Sequence, residues 1–184
     1  MIVTEKRLKG LFEIELKPIG DNRGFFMRTY DSSVLIKPGL NREWVQENHS
    51  FSSKKNTIRG LHFLLPPHTD GKLIRCISGE IYDVVVDLRK ESPTFGQWES
   101  VQLGESNMKC LFIPRGFAHG FCTLTDNCTI LYKHDNFYNR DFDAGILWND
   151  PQLNIEWPVK EPVISERDAN LQLFSEFCTS FQGF

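Results

Sequence analysis

Apolar residues recur at every second position along much of the chain. Between residues 80 and 88, Tyr82, Val84, Val86 and Leu88 share one face of an extended strand, and the opposite face mixes apolar residues with two aspartates. Turn-forming residues separate this run from its neighbours. Shorter runs of the same kind cover residues 11–16, 25–30, 44–51, 57–64, 72–77, 98–103, 110–113, 120–124 and 129–132. Many short strands at such spacing predict an all-β sandwich or closed barrel.

Helical segments are predicted at only two places, residues 32–36 and a segment that begins at Ser165. Ser165 and Asp168 have the spacing of a capping box, with Asp standing where Glu or Gln is usual. Beyond Leu173 the tail carries four phenylalanines, and we expect it to pack against the barrel or against a second subunit. The length of 184 residues, without repeats or linkers, predicts one domain spanning residues 1–184.

The amino-acid composition argues against several classes of protein. The formal net charge of −3 argues against a nucleic-acid-binding surface, which requires a basic excess. The five cysteines are odd in number and irregularly spaced, with no C-x-x-C pair, so neither a disulfide framework nor a zinc site is expected. The N-terminus has no pattern of a secretory signal, and no apolar stretch reaches membrane-spanning length. We therefore expect a cytoplasmic protein with no membrane partner.

Two of the five histidines lie in segments that could carry chemistry. His62 follows Gly60 in a strand pattern, and His119 lies in a glycine-rich turn after a proline. Arg59 and His62 fall on opposite faces of an ideal strand, so a bulge at Gly60 is required to bring both to one site. No H-x-H metal pair, G-x-S-x-G elbow or dinucleotide fingerprint occurs, which disfavours metal-dependent, serine-nucleophile and dinucleotide-dependent chemistry.

Eight short motifs occur in order along the chain, at residues 23–26, 46–48, 58–63, 72–75, 83–89, 92–96, 113–121 and 148–151. Together they resemble the dTDP-4-dehydrorhamnose 3,5-epimerase family. With Asp168, which follows the last motif, the match runs from about Arg23 to Asp168 and covers most of the chain.

The resemblance implies a cupin-type jelly-roll β-barrel that forms a homodimer and epimerises a nucleoside diphosphate 4-keto-6-deoxyhexose without a cofactor or metal. It implies that His62 is the general base and that Asp168 orients it. Lys72 then lies near the C4 oxygen, and Tyr132 is the general acid. Further positions implied to bind the nucleotide or the sugar are Arg23, Phe26, Gln46, Glu47, Asn48, Arg59, His119, Tyr138 and Asp143, with Tyr138 and Phe26 stacking on the base and Phe26 coming from the partner subunit.

Those residue types suit the chemistry. A proton next to a ketone is weakly acidic, and its removal leaves an enolate with the charge on oxygen. A neutral histidine can take that proton, and a lysine ammonium stabilises the oxyanion. A tyrosine hydroxyl on the opposite face can then return a proton, and inversion results.

Two positions depart from the family pattern, and they leave the substrate open. Arg28 stands where the family usually has Glu, and Leu64 stands where it usually has Gln. Cytosine offers acceptors that suit an arginine, and a leucine suits a sugar that lacks a hydroxyl. One hypothesis is therefore a CDP-linked 4-keto-3,6-dideoxyhexose inverted at C5 alone. The alternative is that Arg28 faces solvent and Leu64 only packs.

Other functions and other roles for single residues also remain open at this point. The chain could be a non-catalytic sugar-nucleotide-binding barrel, a ketoisomerase or, least in keeping with its motifs, a metal-dependent dioxygenase. Asp168 could serve only as a helix cap, and Tyr132 could be a core ring with a satisfied hydroxyl. Asp83 could join a histidine–lysine network or face solvent at the barrel mouth.

Overall fold

The computed structural model of the protein describes residues 1–181 and 184, and strands dominate that part of the chain. The strands are β1 (Ile2–Glu5), β2 (Phe12–Glu15), β3 (Ile19–Asp21), β4 (Gly24–Phe26), β5 (Gln46–Ser52), β6 (Ile58–Leu64), β7 (Lys72–Ser78), β8 (Glu80–Asp87), β9 (Trp98–Gly104), β10 (Lys109–Ile113), β11 (Phe117–Thr123), β12 (Cys128–His134) and β13 (Asp143–Gly145). The helices are α1 (Ser32–Ile36), α2 (Glu166–Ala169) and α3 (Phe174–Ser180), and a 3₁₀ turn covers Arg140–Phe142.

Two antiparallel sheets form the body of the fold. One has the strand order β1-β2-β10-β7-β12-β5, and the other has the order β13-β6-β11-β8-β9. Ile74 and Ile130 from the first sheet share a buried cluster with Ile81, Val85 and Phe117 from the second, so the two sheets pack face to face. This arrangement confirms the predicted all-β jelly roll.

The outer faces of both sheets are also covered, which explains why β8 is apolar on its two sides. Val84 and Val86 lie under α3 and the C-terminal segment, in a cluster with Phe174 and Phe177. Burying a phenylalanine fully contributes about 1.5–3 kcal/mol. The aromatic tail therefore packs against its own barrel, with Gln182 and Gly183 outside the described residues. On the first sheet, α1 contributes Leu35 to the corresponding cover.

Short or exposed strands differ most from the prediction. The run predicted over residues 25–30 is a strand only at Gly24–Phe26, because the chain then leaves the hairpin and reaches Asp31, the N-cap of α1. The hairpin β3–β4 belongs to neither main sheet, and Phe26 on it is 66% exposed. Strands β1 and β13 were not predicted, since each is three or four residues long and shows no clear alternation.

The predicted bulge at Gly60 is confirmed. His62 pairs with His119 and Arg59 pairs with Phe121, so three steps along β6 match two steps along β11. Gly60 has φ +119°, and an added Cβ would lie 2.6 Å from Gly120 Cα, so only glycine fits there. The extra residue turns both Arg59 and His62 towards the barrel interior.

Within the described part of the chain, no helix has the length and apolar character needed to cross a membrane.

Candidate active site

A cavity of about 370 Å³ lies between the two sheets, where inward-facing polar residues replace the apolar core. Inward positions of β5, β7 and β12 form one wall, and inward positions of β6 and β11 form the other, joined by β13 and α2 at the rim. Most of the predicted site residues line it: His62, Tyr132, Asp168, Lys72, Gln46, Asn48, Arg59, Leu64, His119, Tyr138 and Asp143.

His62 and Asp168 form a hydrogen-bonded pair on one wall. His62 Nε2 lies 2.8 Å from Asp168 Oδ1, and Asp168 Oδ2 accepts a hydrogen bond from the Gly60 backbone N–H at 3.1 Å. With Nε2–H donating to the carboxylate, the neutral ring keeps its lone pair on Nδ1. Burial acts to raise the pKa of Asp168, but the hydrogen bond and charge of His62 outweigh it, and the pKa lies below its usual value. The ionised Asp168 carboxylate therefore holds the His62 ring in place at the cavity wall.

The capping box predicted for α2 is only half formed. The Ser165 hydroxyl accepts a hydrogen bond from the Asp168 backbone N–H at 3.1 Å, as expected of an N-cap. The Asp168 carboxylate does not return to the Ser165 backbone, because it is engaged by β6 instead. Asp168 is therefore more than a helix cap.

Lys72 lies in a second buried pair that the sequence did not reveal. Its Nζ is 2.8 Å from Asp70 Oδ2, and the same oxygen lies 2.6 Å from His134 Nδ1. Burial acts to raise the pKa of Asp70, but Lys72 and His134 outweigh it and hold the pKa at about 2. Strand periodicity could have found His134, which follows Tyr132 by two positions in β12, but not Asp70, which lies before the first residue of β7.

Tyr132 lies on the wall formed by the first sheet, whereas His62 lies on the wall formed by the second. Burial raises the pKa of Tyr132, and the Arg59 guanidinium and the Asn48 amide oppose that rise only in part. The phenol therefore stays protonated at neutral pH. Its ring packs against the buried cluster between the sheets and also lies in the cavity lining.

His119 has its own carboxylate partner deeper in the barrel. His119 Nε2 lies 2.9 Å from Asp83 Oδ2, and Asp83 is fully buried. Burial raises the pKa of Asp83, against the opposing charge and hydrogen bond of His119. Neither expectation for Asp83 is met in full, because it faces no solvent and its partner is His119 rather than Lys72.

The cavity mouth is held by a second set of polar contacts. Asp143 Oδ2 accepts hydrogen bonds from the Tyr138 hydroxyl at 2.9 Å and from Arg167 Nη2 at 2.8 Å. The backbone N–H of Tyr138 donates to Gln46 Oε1 at 2.5 Å. Tyr138 is 56% exposed, so its ring is free to stack on a flat ligand. Arg167 was not among the predicted residues, although it neighbours Asp168.

Four predicted residues lie outside this cavity. Glu47 points outward because it alternates with Gln46 and Asn48 along β5, and it pairs with Lys133 at 2.8 Å. Arg28 lies on the surface and pairs with Asp31 at 3.1 Å. The remaining two, Arg23 and Phe26, lie on the exposed hairpin β3–β4, where Arg23 pairs with Asp21 at 2.6 Å.

Across residues 1–181 and 184, no three His, Cys, Asp or Glu side chains cluster in an arrangement that could hold a metal ion.

Comparison with known proteins places this chain in a family. The family model described as dTDP-4-dehydrorhamnose 3,5-epimerase matches residues 5–176. A curated dTDP-4-dehydrorhamnose 3,5-epimerase of Shigella flexneri is 47% identical over 95% of this chain and 96% of its own length. The crystal structure of such an epimerase from Bacillus anthracis str. Ames, with TDP and PPi bound, has a TM-score of 0.92 at 46% identity and covers 94% of this chain and 99% of its own.

A related structure from Legionella pneumophila Philadelphia 1 was solved in complex with dTDP-4-keto-L-rhamnose. It has a TM-score of 0.89 at 39% identity, covering 95% of this chain and 93% of its own. The similarity extends over nearly the whole chain in sequence and in structure. The chain therefore belongs to the dTDP-4-dehydrorhamnose 3,5-epimerase family.

Proposed function

We propose that the protein is a cofactor-independent epimerase that inverts C3 and C5 of a dTDP-linked 4-keto-6-deoxyhexose. The observation that carries this proposal is the opposition of two groups across one cavity. A histidine base lies on one sheet, and a protonated tyrosine lies on the facing sheet. The names of the relatives and the nucleotide-sugar ligand of the Legionella structure support the substrate class.

The reaction begins with proton removal. His62 Nδ1 takes the proton from the carbon next to the ketone, and the C–H electron pair moves to the C4 oxygen to form an enolate. Asp168, hydrogen-bonded to Nε2 at 2.8 Å, stabilises the imidazolium that forms. A correctly placed base of this kind typically contributes about 100- to 10,000-fold in rate.

The enolate oxygen requires a positive charge in a place with little water. The Lys72 side chain is 10% exposed at the cavity wall, and its ammonium supplies that charge. A preorganised donor to a developing oxyanion is worth about 100- to 1,000-fold in rate. The proposed position of the C4 oxygen is therefore next to Lys72 Nζ.

Inversion requires a proton from the opposite face. The Tyr132 hydroxyl donates to the carbon, and the electron pair returns from oxygen to restore the ketone. Water then reprotonates the phenolate and accepts the proton from His62, so the enzyme regains its starting state. Because C3 and C5 both flank the C4 ketone, the same groups serve both carbons after a shift of the sugar ring.

The working unit is proposed to be a homodimer. The hairpin β3–β4 carries Ile19, Phe25 and Phe26, which are 72%, 59% and 66% exposed. Three exposed apolar residues on one hairpin favour an interface. If the hairpin crosses to a second copy, Phe26 and Arg23 reach the nucleotide in the partner's cavity, opposite Tyr138. Light scattering of the wild type measures the oligomeric state, and a dTDP titration of Phe26→Ala measures the nucleotide affinity. A monomeric wild type, together with unchanged affinity in the variant, would contradict the proposal.

A CDP-linked 3,6-dideoxy sugar is the second candidate substrate. Leu64 lines the cavity and is 6% exposed, so part of the sugar wall is apolar. Arg28 does not support this candidate within one chain, because it pairs with Asp31 on the surface. The dTDP-linked 6-deoxy sugar therefore remains the first proposal.

Turnover with matched substrates tests both. The protein is incubated with dTDP- and CDP-linked 4-keto-6-deoxyglucose and with the 3,6-dideoxy analogue of each, and product stereochemistry is read by NMR. We expect inversion at C3 and C5 of the dTDP-linked sugar at the highest kcat/KM. Higher kcat/KM for a CDP-linked substrate would reverse the order, and a ketone found at C3 would indicate a ketoisomerase.

A further inference from the structure

The carboxylate of Asp70 connects the Lys72 wall of the cavity to a histidine for which the proposed reaction gives no role. One oxygen, Oδ2, contacts Lys72 Nζ at 2.8 Å and His134 Nδ1 at 2.6 Å. The Asp70 side chain is only 3% exposed, and those of Lys72 and His134 are 10% and 13% exposed. A buried carboxylate of this kind holds the Lys72 ammonium and the His134 ring in place, unlike a charge on the surface.

Strand register explains why these groups meet. His134 at the end of β12 pairs with Lys72 at the start of β7, so their side chains are cross-strand neighbours on the inner face. The intervening Gly71 is held against Asp135, whose Oδ1 accepts from the Gly71 N–H at 2.6 Å. A Cβ on Gly71 would lie 2.9 Å from Asp135 Oδ2 and 3.3 Å from the Ile113 carbonyl oxygen, so the space beside Gly71 is already filled.

The contact with Asp70 also determines which nitrogen of His134 carries the proton. With Nδ1–H donating to the carboxylate, the neutral ring has its acceptor on Nε2, and the Asn48 side-chain nitrogen lies 3.2 Å from it. The Asn48 amide nitrogen then donates to His134, which turns its carbonyl oxygen away from the ring. A chain of contacts therefore runs from Lys72 through Asp70 and His134 to Asn48.

On the basis of the proposed function, we propose that Asp70 is a positioning residue for the epimerisation. It holds the Lys72 ammonium beside the C4 oxygen and, through His134, fixes the amide of Asn48 on the same wall. A lysine has four side-chain torsions, and an unanchored ammonium samples many positions. One of its three N–H donors is used by Asp70, and two remain for the substrate.

Asp70→Asn tests this role because asparagine keeps the shape but offers one carbonyl oxygen and no charge. We expect kcat to fall roughly 10- to 100-fold, as displacement of a catalytic group by about 1 Å does. The affinity for dTDP, measured by calorimetry, should change less than about twofold, since the nucleotide contacts lie at the mouth. Deuterium exchange at C3 and C5 should slow in parallel with kcat.

The matched control is Asp87→Asn. Asp87 is also a buried carboxylate with a charged partner, Arg89 at 2.8 Å, but it lies outside the cavity. Its substitution should lower stability and leave kcat unchanged. A parallel loss of kcat in both variants would indicate a general effect of buried-charge removal and would overturn the positioning role.

A second pair of variants covers the case in which Asp70→Asn does not fold. His134→Asn places an amide N–H near the position of Nδ1 and should retain more kcat than His134→Leu, which has no donor. Equal kcat values in the two would overturn the inference. If the wild type exchanges deuterium and Asp70→Asn exchanges it equally fast, the positioning role alone is overturned. If the wild type exchanges no deuterium, the proposed function is overturned and this inference with it.

Discussion

Asp168→Asn is expected to remove the base function of His62 while leaving a side chain of nearly the same size and shape at position 168. The wild-type carboxylate accepts two hydrogen bonds, from His62 Nε2 at 2.8 Å and from the Gly60 N–H at 3.1 Å. Asparagine has one carbonyl oxygen, so it can accept only one of these two hydrogen bonds. Giving the oxygen to His62 would set an NH₂ group against the buried Gly60 N–H, and an unpaired buried donor costs about 1–3 kcal/mol.

The other orientation is therefore preferred, and it changes the histidine. The asparagine oxygen accepts from Gly60, and its NH₂ group donates to His62 Nε2. The ring proton must then move to Nδ1, the nitrogen that faces substrate, so the lone pair needed for proton removal is lost. The same exchange in serine proteases costs about 10,000-fold through the wrong tautomer. We expect kcat to fall by about 100- to 10,000-fold, equivalent to about 3–5 kcal/mol of transition-state stabilisation.

Steady-state turnover of dTDP-4-keto-6-deoxyglucose gives kcat, and calorimetry gives the dTDP affinity, which should be unchanged. Asp150→Asn is the control, because Asp150 is a buried carboxylate that caps the Gln152, Leu153 and Phe174 backbone N–H groups away from the cavity. It should lose stability only. A loss of kcat below tenfold in a folded Asp168→Asn protein would refute the tautomer argument.

Three further predictions concern ligand affinity, backbone conformation and pH. Tyr138→Ala should weaken dTDP binding by about 5- to 150-fold, the equivalent of about 1–3 kcal/mol of base stacking. Tyr138→Phe should bind dTDP nearly as tightly as the wild type in the same titration. If Tyr138→Ala also binds as tightly as the wild type, stacking on Tyr138 is excluded. Gly60→Ala should lower the free energy of unfolding by at least about 2 kcal/mol, because its Cβ meets Gly120 Cα at 2.6 Å. Gly24→Ala, also at positive φ but with nothing within 4 Å, should cost only about 1 kcal/mol in the same urea titration, and equal losses would contradict the steric argument. The pKa of Asp70 is lowered from 3.8 to about 2, so its contribution of about 2 kcal/mol is present above pH 4 and lost as the pH falls to 2. The stability gap between wild type and Asp70→Asn should shrink by that amount over this range, and a constant gap would contradict the shift.

The strands that the sequence predicted best are those whose two faces differ in environment. Strand β8 was predicted to within a residue because its alternate positions face the barrel interior and the aromatic cover. Asn48, Lys72 and Tyr132 were indicated by the family resemblance rather than by alternation, and all three line the cavity. Strand β13, with three residues, is too short to carry a period, and it forms because β6 offers it a free edge.

Parts of the site depend on contacts that no local pattern contains. Asp70 lies just before a strand, and its role follows from the pairing of β7 with β12, which are far apart in sequence. Glu47 was grouped with Gln46 and Asn48 by motif, although strand geometry turns it the other way. Phe26 lies on a hairpin that belongs to neither main sheet, so its proposed role requires a second chain.

The most direct test is whether His62 takes a proton from the carbon next to the ketone. NMR in D₂O follows dTDP-4-keto-6-deoxyglucose with the wild-type protein, with His62→Ala and with Tyr132→Phe. We predict deuterium at C3 and C5 with the ketone still at C4 in the wild type, and no exchange with His62→Ala. Tyr132→Phe should permit slow exchange with little inverted product, because proton removal survives while delivery from the opposite face is lost. Exchange that persists in His62→Ala at the wild-type rate, or a wild type that exchanges nothing, would contradict the account.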